Sequence, residues 1–209
     1  MERIGLLGGS FNPAHEGHRQ LSLAAIEALG LDELWWLVSP GNPLKTRAAD
    51  MAPFEARMDS ARKAASGTPI TVSDFEERQG TRYTIDTLRA LVGAFPGRRF
   101  IWLMGADAFV QFHRWKDWRE IAQIVPIAIL PRPGYDGEAR AARAMGWLSE
   151  FVRPEGQAKC WTEWSPPAIL FLRLPTNPAS ATALRALDPN WHRRSRPRAS
   201  DPQTDGPPT

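Results

Sequence analysis

Short runs of consecutive apolar residues alternate along the N-terminal half of the chain with segments whose apolar positions recur every three or four residues. The runs predict buried β-strands at residues 4–7, 34–38, 70–72, 100–104 and 127–130. Helical spacing begins at Leu21, and Gly30 is suited to end that first helix. Continuously apolar strands joined by helices are typical of an α/β fold, in which helices cover both faces of a parallel sheet.

Further helices are predicted from turn and capping chemistry. Pro53 suits the first turn of a helix that runs to about Ala65. Thr84 is suited to cap a second helix, which runs to about Ala94. Beyond Arg132 the pattern is weaker, and it predicts a helix at 138–151, a last strand at 169–174 and a short helix at 182–187.

The composition of the chain changes after residue 187. Residues 188–209 are rich in Pro, Ser, Arg and Asp and nearly free of apolar side chains. Such a segment cannot bury enough surface to offset the entropy of ordering it. The sequence therefore predicts one domain at 1–187, followed by a disordered C-terminal tail at 188–209.

Length, charge and cysteine content exclude several classes of protein. The 209 residues suit a single domain, and no apolar run is long enough to span a bilayer. The N-terminus lacks the apolar core of a signal peptide, and Cys160 is the only cysteine. The net charge is +3 without a run of five or more basic residues, so no nucleic-acid surface is indicated. We expect a cytoplasmic protein that binds neither nucleic acid nor a membrane; its oligomeric state, a homo-oligomer included, stays open.

The segment GGSFNPAHEGH, residues 8–18, carries the strongest chemical signal because it joins the first strand to the first helix. Ligands of open parallel sheets bind at the carboxyl ends of strands. Two adjacent glycines let a ligand approach the backbone, and the free N–H groups of a helix start favour phosphate. Neither a G-x-G-x-x-G motif nor a P-loop lysine is present, so these two phosphate motifs are excluded.

His15 and His18 lie three residues apart and face the same way on one helical turn. Three interpretations stay open: a metal site, a structurally hydrogen-bonded pair and a phosphate contact. Zinc needs a third protein ligand, and His113 and His192 are the only other histidines. Imidazoles at a helix start can donate hydrogen bonds to triphosphate oxygens and stabilise a departing pyrophosphate. We therefore favour the phosphate contact and assign no metal ligand.

With these histidines the chain resembles the bacterial nicotinate-nucleotide adenylyltransferases, a family within the nucleotidylyltransferase superfamily. The H-x-G-H signature of the superfamily follows a G-G-x-F-x-P strand end at residues 8–18. The remaining matches come in the order of the family: Y-T-x-D-T-L at 83–88, G-A-D at 105–107, W-K-D-W at 115–118 and S-A-T-x-x-R at 180–185. The resemblance covers residues 4–187.

The resemblance implies a Rossmann-like sheet and a reaction of ATP with nicotinate mononucleotide, which yields nicotinate adenine dinucleotide and pyrophosphate in NAD biosynthesis. It implies Mg²⁺ carried by the ATP phosphates. It assigns catalysis to His15, His18 and Arg185. The residues implied to bind ATP are Gly8, Gly9, Ser10, Phe11, His15, His18, Gly105, Asp107, Ser180, Thr182 and Arg185. Those implied to bind the mononucleotide are Lys45, Tyr83, Thr84 and Trp115, with the indole of Trp115 stacked on the pyridinium ring.

Each of these assignments has a structural alternative. Thr84 and Asp107 could act as helix caps, and Trp115 could pack on a helix face together with Trp118. Arg185 could be an ordinary solvated arginine. Lys45 and Arg57 could neutralise phosphate or carry surface charge.

The chain departs from the family pattern at two positions. Leu44 stands before Lys45 where the family often has histidine, and Ala181 stands where serine is frequent. Other functions stay open: an adenylyltransferase that uses nicotinamide mononucleotide or phosphopantetheine, an amino-acid-activating ligase, and a nucleotide-sensing module without catalysis. A ligase would need a lysine-rich signature loop and a tRNA-binding region, and the sequence has neither. A sensing module would not need groups that stabilise a leaving group.

Overall fold

The structure is a computed structural model that describes residues 1–41, 51–177 and 179–195. Within them, parallel strands form one sheet in the order β3-β2-β1-β4-β5-β6. The strands are β1 (Glu2–Gly9), β2 (Glu33–Val38), β3 (Ile70–Ser73), β4 (Arg98–Gly105), β5 (Ile127–Leu130) and β6 (Ile169–Phe171). The predicted Rossmann-like α/β fold is confirmed, because the strand order reverses between β1 and β4.

The helices fall between the strands, as the sequence pattern predicts. They are α1 (Glu16–Leu29), α2 (Phe54–Ala65), α3 (Phe75–Gln79), α4 (Thr84–Ala94), α5 (Ala106–Val110), α6 (Trp118–Ile124), α7 (Asp136–Arg140), α8 (Met145–Leu148) and α9 (Ala181–Leu187). Gly30 ends α1 in the left-handed conformation, as expected for a glycine after a helix. Thr84 is the first residue of α4, and the capping position belongs to Tyr83, so the prediction that Thr84 caps this helix is wrong.

Both faces of the sheet are buried. In β4, Phe100 and Trp102 contact one core cluster, while Ile101 and Leu103 contact the other. This alternation explains why the strands are continuously apolar, since successive side chains point to opposite faces. The indole N–H of Trp36 in the second cluster donates to the Ser22 hydroxyl of α1 over 2.9 Å.

The segment after β5 differs from the single helix predicted at 138–151. It folds as α7, a turn, α8 and a 3₁₀ helix at Ser149–Phe151. Backbone hydrogen bonds three residues apart, such as that from Ala142 N to Ala139 O, replace the α-helical pattern between α7 and α8. The turn buries Ala139, Ala142 and Ala144 together, so the apolar spacing is satisfied without a continuous helix.

The C-terminal part also differs from its prediction. The composition predicts a disordered tail from residue 188 onward, yet Trp191–Ser195 form a 3₁₀ helix that packs against α2. Trp191, the first residue of this 3₁₀ helix, is half-buried. The remainder of the predicted tail, 196–209, lies outside the described residues. In the described part of the chain, no helix is long and apolar enough to cross a membrane; the cytoplasmic location stays a prediction.

Candidate active site

A cavity of about 650 Å³ opens at the carboxyl ends of β1 and β4, on the side of the sheet where the strand order reverses. This volume lies in the range of small-molecule binding sites. The structure places many of the sequence-predicted residues on its wall: Gly8, Gly9, Ser10, Phe11, His18, Tyr83, Thr84, Gly105, Asp107 and Trp115. These residues come from four separate segments of the chain, which the fold brings together.

The loop after β1 shapes the inner end of the cavity. A Cβ atom on Gly8 would lie 2.8 Å from the ring of Trp102, so glycine is required for this indole to pack against the strand end. Phe11 has a φ of 46°, a left-handed conformation that costs a non-glycine residue energy. Its ring is held in this position by stacking on Trp36 at 4.9 Å. The loop is therefore fixed by the core beneath it.

The two histidines contact each other at the start of α1, with ring centroids 3.8 Å apart. A Cβ atom on Gly17 would lie 3.0 Å from the His15 ring, so the glycine of H-x-G-H makes room for this ring. His18 Nδ1 accepts a hydrogen bond from the His15 backbone N–H over 3.3 Å. Because Nδ1 accepts, a neutral His18 carries its proton on Nε2. His18 lines the cavity, whereas His15 is buried behind it.

Burial, followed by the neighbouring His15 and Arg132, lowers the pKa of His18 to about 3. The pKa of His15 is also lowered, first by burial and then by Arg132. Both imidazoles are therefore neutral at pH 7. They can offer N–H groups to a ligand, and the positive charge beside them belongs to Arg132.

This low pKa makes folding stability depend on pH. The unfolded His18 binds a proton near its ordinary value of 6.5, while the folded His18 stays neutral down to about pH 3. The contribution of the neutral His18 to the free energy of unfolding is therefore present above pH 6.5 and is lost as the pH falls towards 3. Between pH 7 and pH 5 this loss amounts to about 2 kcal/mol. We expect the variant His18→Asn to lose correspondingly less stability over that interval in urea denaturation. An identical pH dependence in both proteins would contradict the assigned burial of this imidazole.

The start of α4 forms the opposite end of the cavity. The Tyr83 carbonyl accepts hydrogen bonds from the backbone N–H groups of Asp86 and Thr87. Within the described residues, the N–H groups of Thr84 and Ile85 have no acceptor. Two unpaired donors at a helix start favour an anion, and the helix dipole adds to this preference.

Trp115 stands beside this helix start. Its ring meets Trp102 and Phe112 in edge-to-face contacts, with centroids 6.5 and 5.6 Å away. It is half-buried and belongs to the cavity wall. Trp118 packs on Phe112 and Trp147 and is not among the cavity residues. The two tryptophans of the W-K-D-W motif therefore occupy different environments.

Ser180, Thr182 and Arg185 do not line this cavity. The Ser180 hydroxyl caps α9 by accepting from the Ala183 N–H over 3.1 Å. Thr182 and Arg185 line a second cavity of about 440 Å³, together with Trp191 and His192. Arg185 nevertheless reaches the first loop, because its guanidinium donates to the Asn12 carbonyl over 2.6 Å.

Arg132 and Glu76 are two of the cavity residues that the sequence analysis does not assign to the site. Arg132 lies two residues after the end of β5, and the rule that ligands bind at carboxyl strand ends would have singled it out. It lies 3.5 Å from the Asp107 carboxylate, which likewise follows a strand and is not a helix cap, since Gly105 holds the cap position of α5. Glu76 is a buried carboxyl in α3, and no sequence motif announces it. Lys45 lies outside the described residues.

Arg57 is neither surface charge nor placed to contact phosphate, contrary to both predicted alternatives. Its side chain is 1% exposed, and among the described residues its guanidinium donates only to backbone carbonyls. These carbonyls belong to Ser10 in the loop after β1, Ser39 and Pro40 in the loop after β2, and Ala52 before α2. Arg57 therefore ties together the two loops that follow neighbouring strands.

Removing this guanidinium should be strongly destabilising. The variant Arg57→Ala would leave several buried carbonyls without donors, so we expect the free energy of unfolding to fall by about 3 kcal/mol or more. Urea denaturation measures this change. The matched control is Arg62→Ala on the same helix, whose exposed pair with Asp59 should contribute less than about 0.5 kcal/mol. Equal stability of the two variants would refute the structural role of Arg57.

Comparison with known proteins defines the class to which the chain belongs. A model of the cytidylyltransferase-like family matches residues 6–187. A protein from Erythrobacter litoralis named probable nicotinate-nucleotide adenylyltransferase is 54% identical over 93% of this chain and 88% of its own. A protein of the same name from Parvibaculum lavamentivorans is 50% identical over 88% of this chain and 90% of its own. The chain therefore belongs to the nicotinate-nucleotide adenylyltransferase family within the cytidylyltransferase-like proteins.

Solved structures support the fold. The Plasmodium falciparum nicotinic acid mononucleotide adenylyltransferase complexed with NaAD aligns with a TM-score of 0.64 at 16% identity, covering 89% of this chain and 83% of that one. The same enzyme complexed with APC aligns with a TM-score of 0.62 at 15% identity and the same coverage. Among the described residues, no group of three or more His, Cys, Asp or Glu side chains is arranged to hold a metal ion.

Proposed function

We propose that this protein transfers the adenylyl group of ATP to nicotinate mononucleotide, giving nicotinate adenine dinucleotide and pyrophosphate. One observation carries the proposal beyond family membership. A single cavity joins two complementary ends: the neutral His18 imidazole at the start of α1 and the unpaired N–H groups at the start of α4. The first end suits a triphosphate, and the second suits a carboxylate.

The reaction forms one P–O bond and breaks another. An oxygen of the mononucleotide 5′-phosphate attacks the α-phosphorus of ATP, and the bond from that phosphorus to the β-phosphate bridging oxygen breaks. The attacking phosphate is already ionised at neutral pH, so no general base is needed. Catalysis therefore consists of alignment and of stabilising the charge that develops on the leaving pyrophosphate.

The groups at the first end are suited to this charge stabilisation. His18 points its Nε2–H towards the cavity because its Nδ1 is occupied by the His15 backbone. Arg132 supplies a positive charge near both imidazoles, and its effect on their pKa values reports this proximity. Arg185 is bonded to the loop between β1 and α1, and its remaining N–H groups suit the outer phosphates. Mg²⁺ enters with ATP as part of the substrate, bridging its phosphate oxygens and keeping several waters.

The second end is suited to a pyridinium ring that carries a carboxylate. The N–H groups of Thr84 and Ile85 would donate to the carboxylate oxygens, which only accept hydrogen bonds. The Trp115 indole offers a platform for the positively charged ring, a contact worth about 1 kcal/mol. The amide of a nicotinamide would turn N–H groups towards these donors.

The competing acceptors are separated by measuring pyrophosphate release from ATP with nicotinate mononucleotide, nicotinamide mononucleotide or phosphopantetheine in turn. We expect release with the nicotinate compound far above the others. Release with phosphopantetheine alone would assign a different acceptor, and binding of ATP without release under any condition would indicate a sensing module.

A further inference from the structure

Glu76 is the one buried carboxyl among the described residues that line the main cavity. Its side chain lies at the end of the cavity formed by the start of α4, where the proposed function places the carboxylate of the mononucleotide. An ionised Glu76 would present a hydrogen-bond acceptor to the substrate carboxylate, which is itself an acceptor and carries the same negative charge. The substrate carboxylate can therefore bind at this end of the cavity without repulsion only if the charge of Glu76 is removed.

The hydrogen bonds around Glu76 are compatible with an uncharged, protonated carboxyl. The Thr87 hydroxyl lies 3.1 Å from Glu76 Oε1, 2.9 Å from the Thr81 hydroxyl and 3.3 Å from the Tyr83 carbonyl. This hydroxyl has one proton to give. When Glu76 is ionised, Thr87 donates to it. When Glu76 is protonated, its own O–H can donate to Thr87 Oγ1, and the Thr87 proton becomes free for the Tyr83 carbonyl.

A change in the protonation state of Glu76 thus alters the hydrogen bonding of the Tyr83–Thr84 turn through the Thr87 hydroxyl. We propose that Glu76 is a specificity-determining residue for the acceptor: its neutral form, held by Thr87, lets this end of the cavity accept the nicotinate carboxylate, and its ionised form disfavours it. The inference rests on the proposed function. It makes Glu76 a residue that acts by its charge and through Thr87, without taking part in bond formation.

Burial makes the neutral form available at physiological pH. It raises the pKa of Glu76 to about 7, and the hydrogen bond from Thr87 opposes this shift. An incoming carboxylate raises the pKa further, because it disfavours a second negative charge. Binding of nicotinate mononucleotide above pH 7 should therefore take up protons, whereas binding of nicotinamide mononucleotide should not.

The surrounding charged groups do not produce the same signature. On the elements packed against α3 and on the cavity wall these groups are Glu33, Arg82, Asp86, Arg89, Asp107, Arg114, Lys116 and Arg132. Asp86 pairs with Lys116, Arg89 pairs with Glu120, and Glu33 bonds the Trp35 indole. These groups affect the binding of the two mononucleotides in the same way, apart from their interaction with the nicotinate carboxylate. That carboxylate is ionised throughout the neutral range. His18, with its pKa of about 3, is neutral over that range.

The test is the ratio of kcat/KM for nicotinate over nicotinamide mononucleotide between pH 6.5 and pH 8.5. In the wild-type protein we expect this ratio to fall about tenfold across the interval, because Glu76 ionises. Both acceptors carry the same 5′-phosphate, so its titration cancels in the ratio. In Glu76→Gln, which keeps the shape but stays neutral, the ratio should be independent of pH. The control Glu77→Gln, at an exposed position of the same helix, should behave as the wild type.

Calorimetry in buffers of different ionisation enthalpy gives a readout that does not need turnover. We expect proton uptake when nicotinate mononucleotide binds the wild-type protein at pH 8, and none with Glu76→Gln. Retention of the wild-type pH profile and proton uptake in Glu76→Gln would overturn the inference. Failure of the wild-type protein to form the dinucleotide at any pH would instead overturn the proposed function.

Discussion

Replacing His18 with alanine is expected to lower kcat by about 100-fold or more while the KM for ATP changes less. This factor corresponds to about 2.7 kcal/mol of transition-state stabilisation. The physical reason is the orientation of the imidazole: its Nδ1 is occupied by the His15 N–H, so Nε2–H is available to the cavity. A donor fixed in this way contributes most where charge develops, which is on the departing pyrophosphate.

Steady-state kinetics with saturating nicotinate mononucleotide measure the effect. The matched control is His113→Ala, because His113 lies in a 3₁₀ helix and lines neither of the two cavities. That variant should keep kcat within about twofold of the wild type, since it removes no group from the cavity. If His18→Ala keeps its kcat and only unfolds at a lower temperature, the residue is structural and the catalytic assignment is wrong.

Acceptor selection should be equally pronounced. We expect kcat/KM for nicotinate mononucleotide at pH 7 to exceed that for nicotinamide mononucleotide by at least about 100-fold. The N–H groups of Thr84 and Ile85 face a carboxylate in one complex and the NH₂ group of an amide in the other. Each donor facing a donor in a dry pocket costs about 1–3 kcal/mol, and the amide also loses the assistance of charge.

Two variants separate ring binding from recognition of the carboxylate. Trp115→Ala should weaken both acceptors together, because stacking on the pyridinium does not depend on the carboxylate. Thr84→Ala removes a hydroxyl but keeps the backbone N–H groups. It should therefore lower the ratio of kcat/KM for nicotinate over nicotinamide mononucleotide only partly. Trp118→Ala serves as the packing control and should lower stability without changing the ratio, since Trp118 contacts Phe112 and Trp147 instead of the cavity. A changed ratio in Trp118→Ala would place the recognition of the acceptor elsewhere.

The sheet could be predicted from the sequence because each strand is buried on both faces. Residues 127–130 were predicted as a strand and form β5 with the same bounds. The other predicted strands are one or more residues longer or shorter in the structure, since apolar character marks the buried centre of a strand and not its hydrogen-bonded ends. Gly30 likewise marked a helix end correctly, because its left-handed conformation is a local property.

Long-range contacts explain the predictions that failed. Arg57 reads as an ordinary charge in sequence, and only the meeting of two loops around it shows a buried guanidinium bonded to carbonyls. Trp191 stands in a segment of polar composition, yet it is half-buried and belongs to a 3₁₀ helix that packs against α2. Neither contact gives rise to a periodic pattern or a motif in the amino-acid sequence from which it could be predicted.

The candidate site could be predicted where its residues share a local motif. The H-x-G-H segment placed His15 and His18 on one helical turn, and the structure brings their rings to 3.8 Å. Glu76 and Arg132 reach the same cavity from separate elements; the position of Arg132 after a strand is a sequence signal for the site, whereas Glu76 has none. The roles assigned to Ser180, Thr182 and Arg185 stay predictions, since these residues lie outside the main cavity.

Isotopic labelling of ATP tests the central claim most directly. The protein is incubated with nicotinate mononucleotide and ATP labelled either at the α-phosphate or at the γ-phosphate, and the products are separated. The account predicts that the α-label appears in nicotinate adenine dinucleotide and that the γ-label appears in pyrophosphate, in equal amounts. Transfer of the γ-label to the acceptor, or recovery of both labels in unreacted ATP, would contradict it.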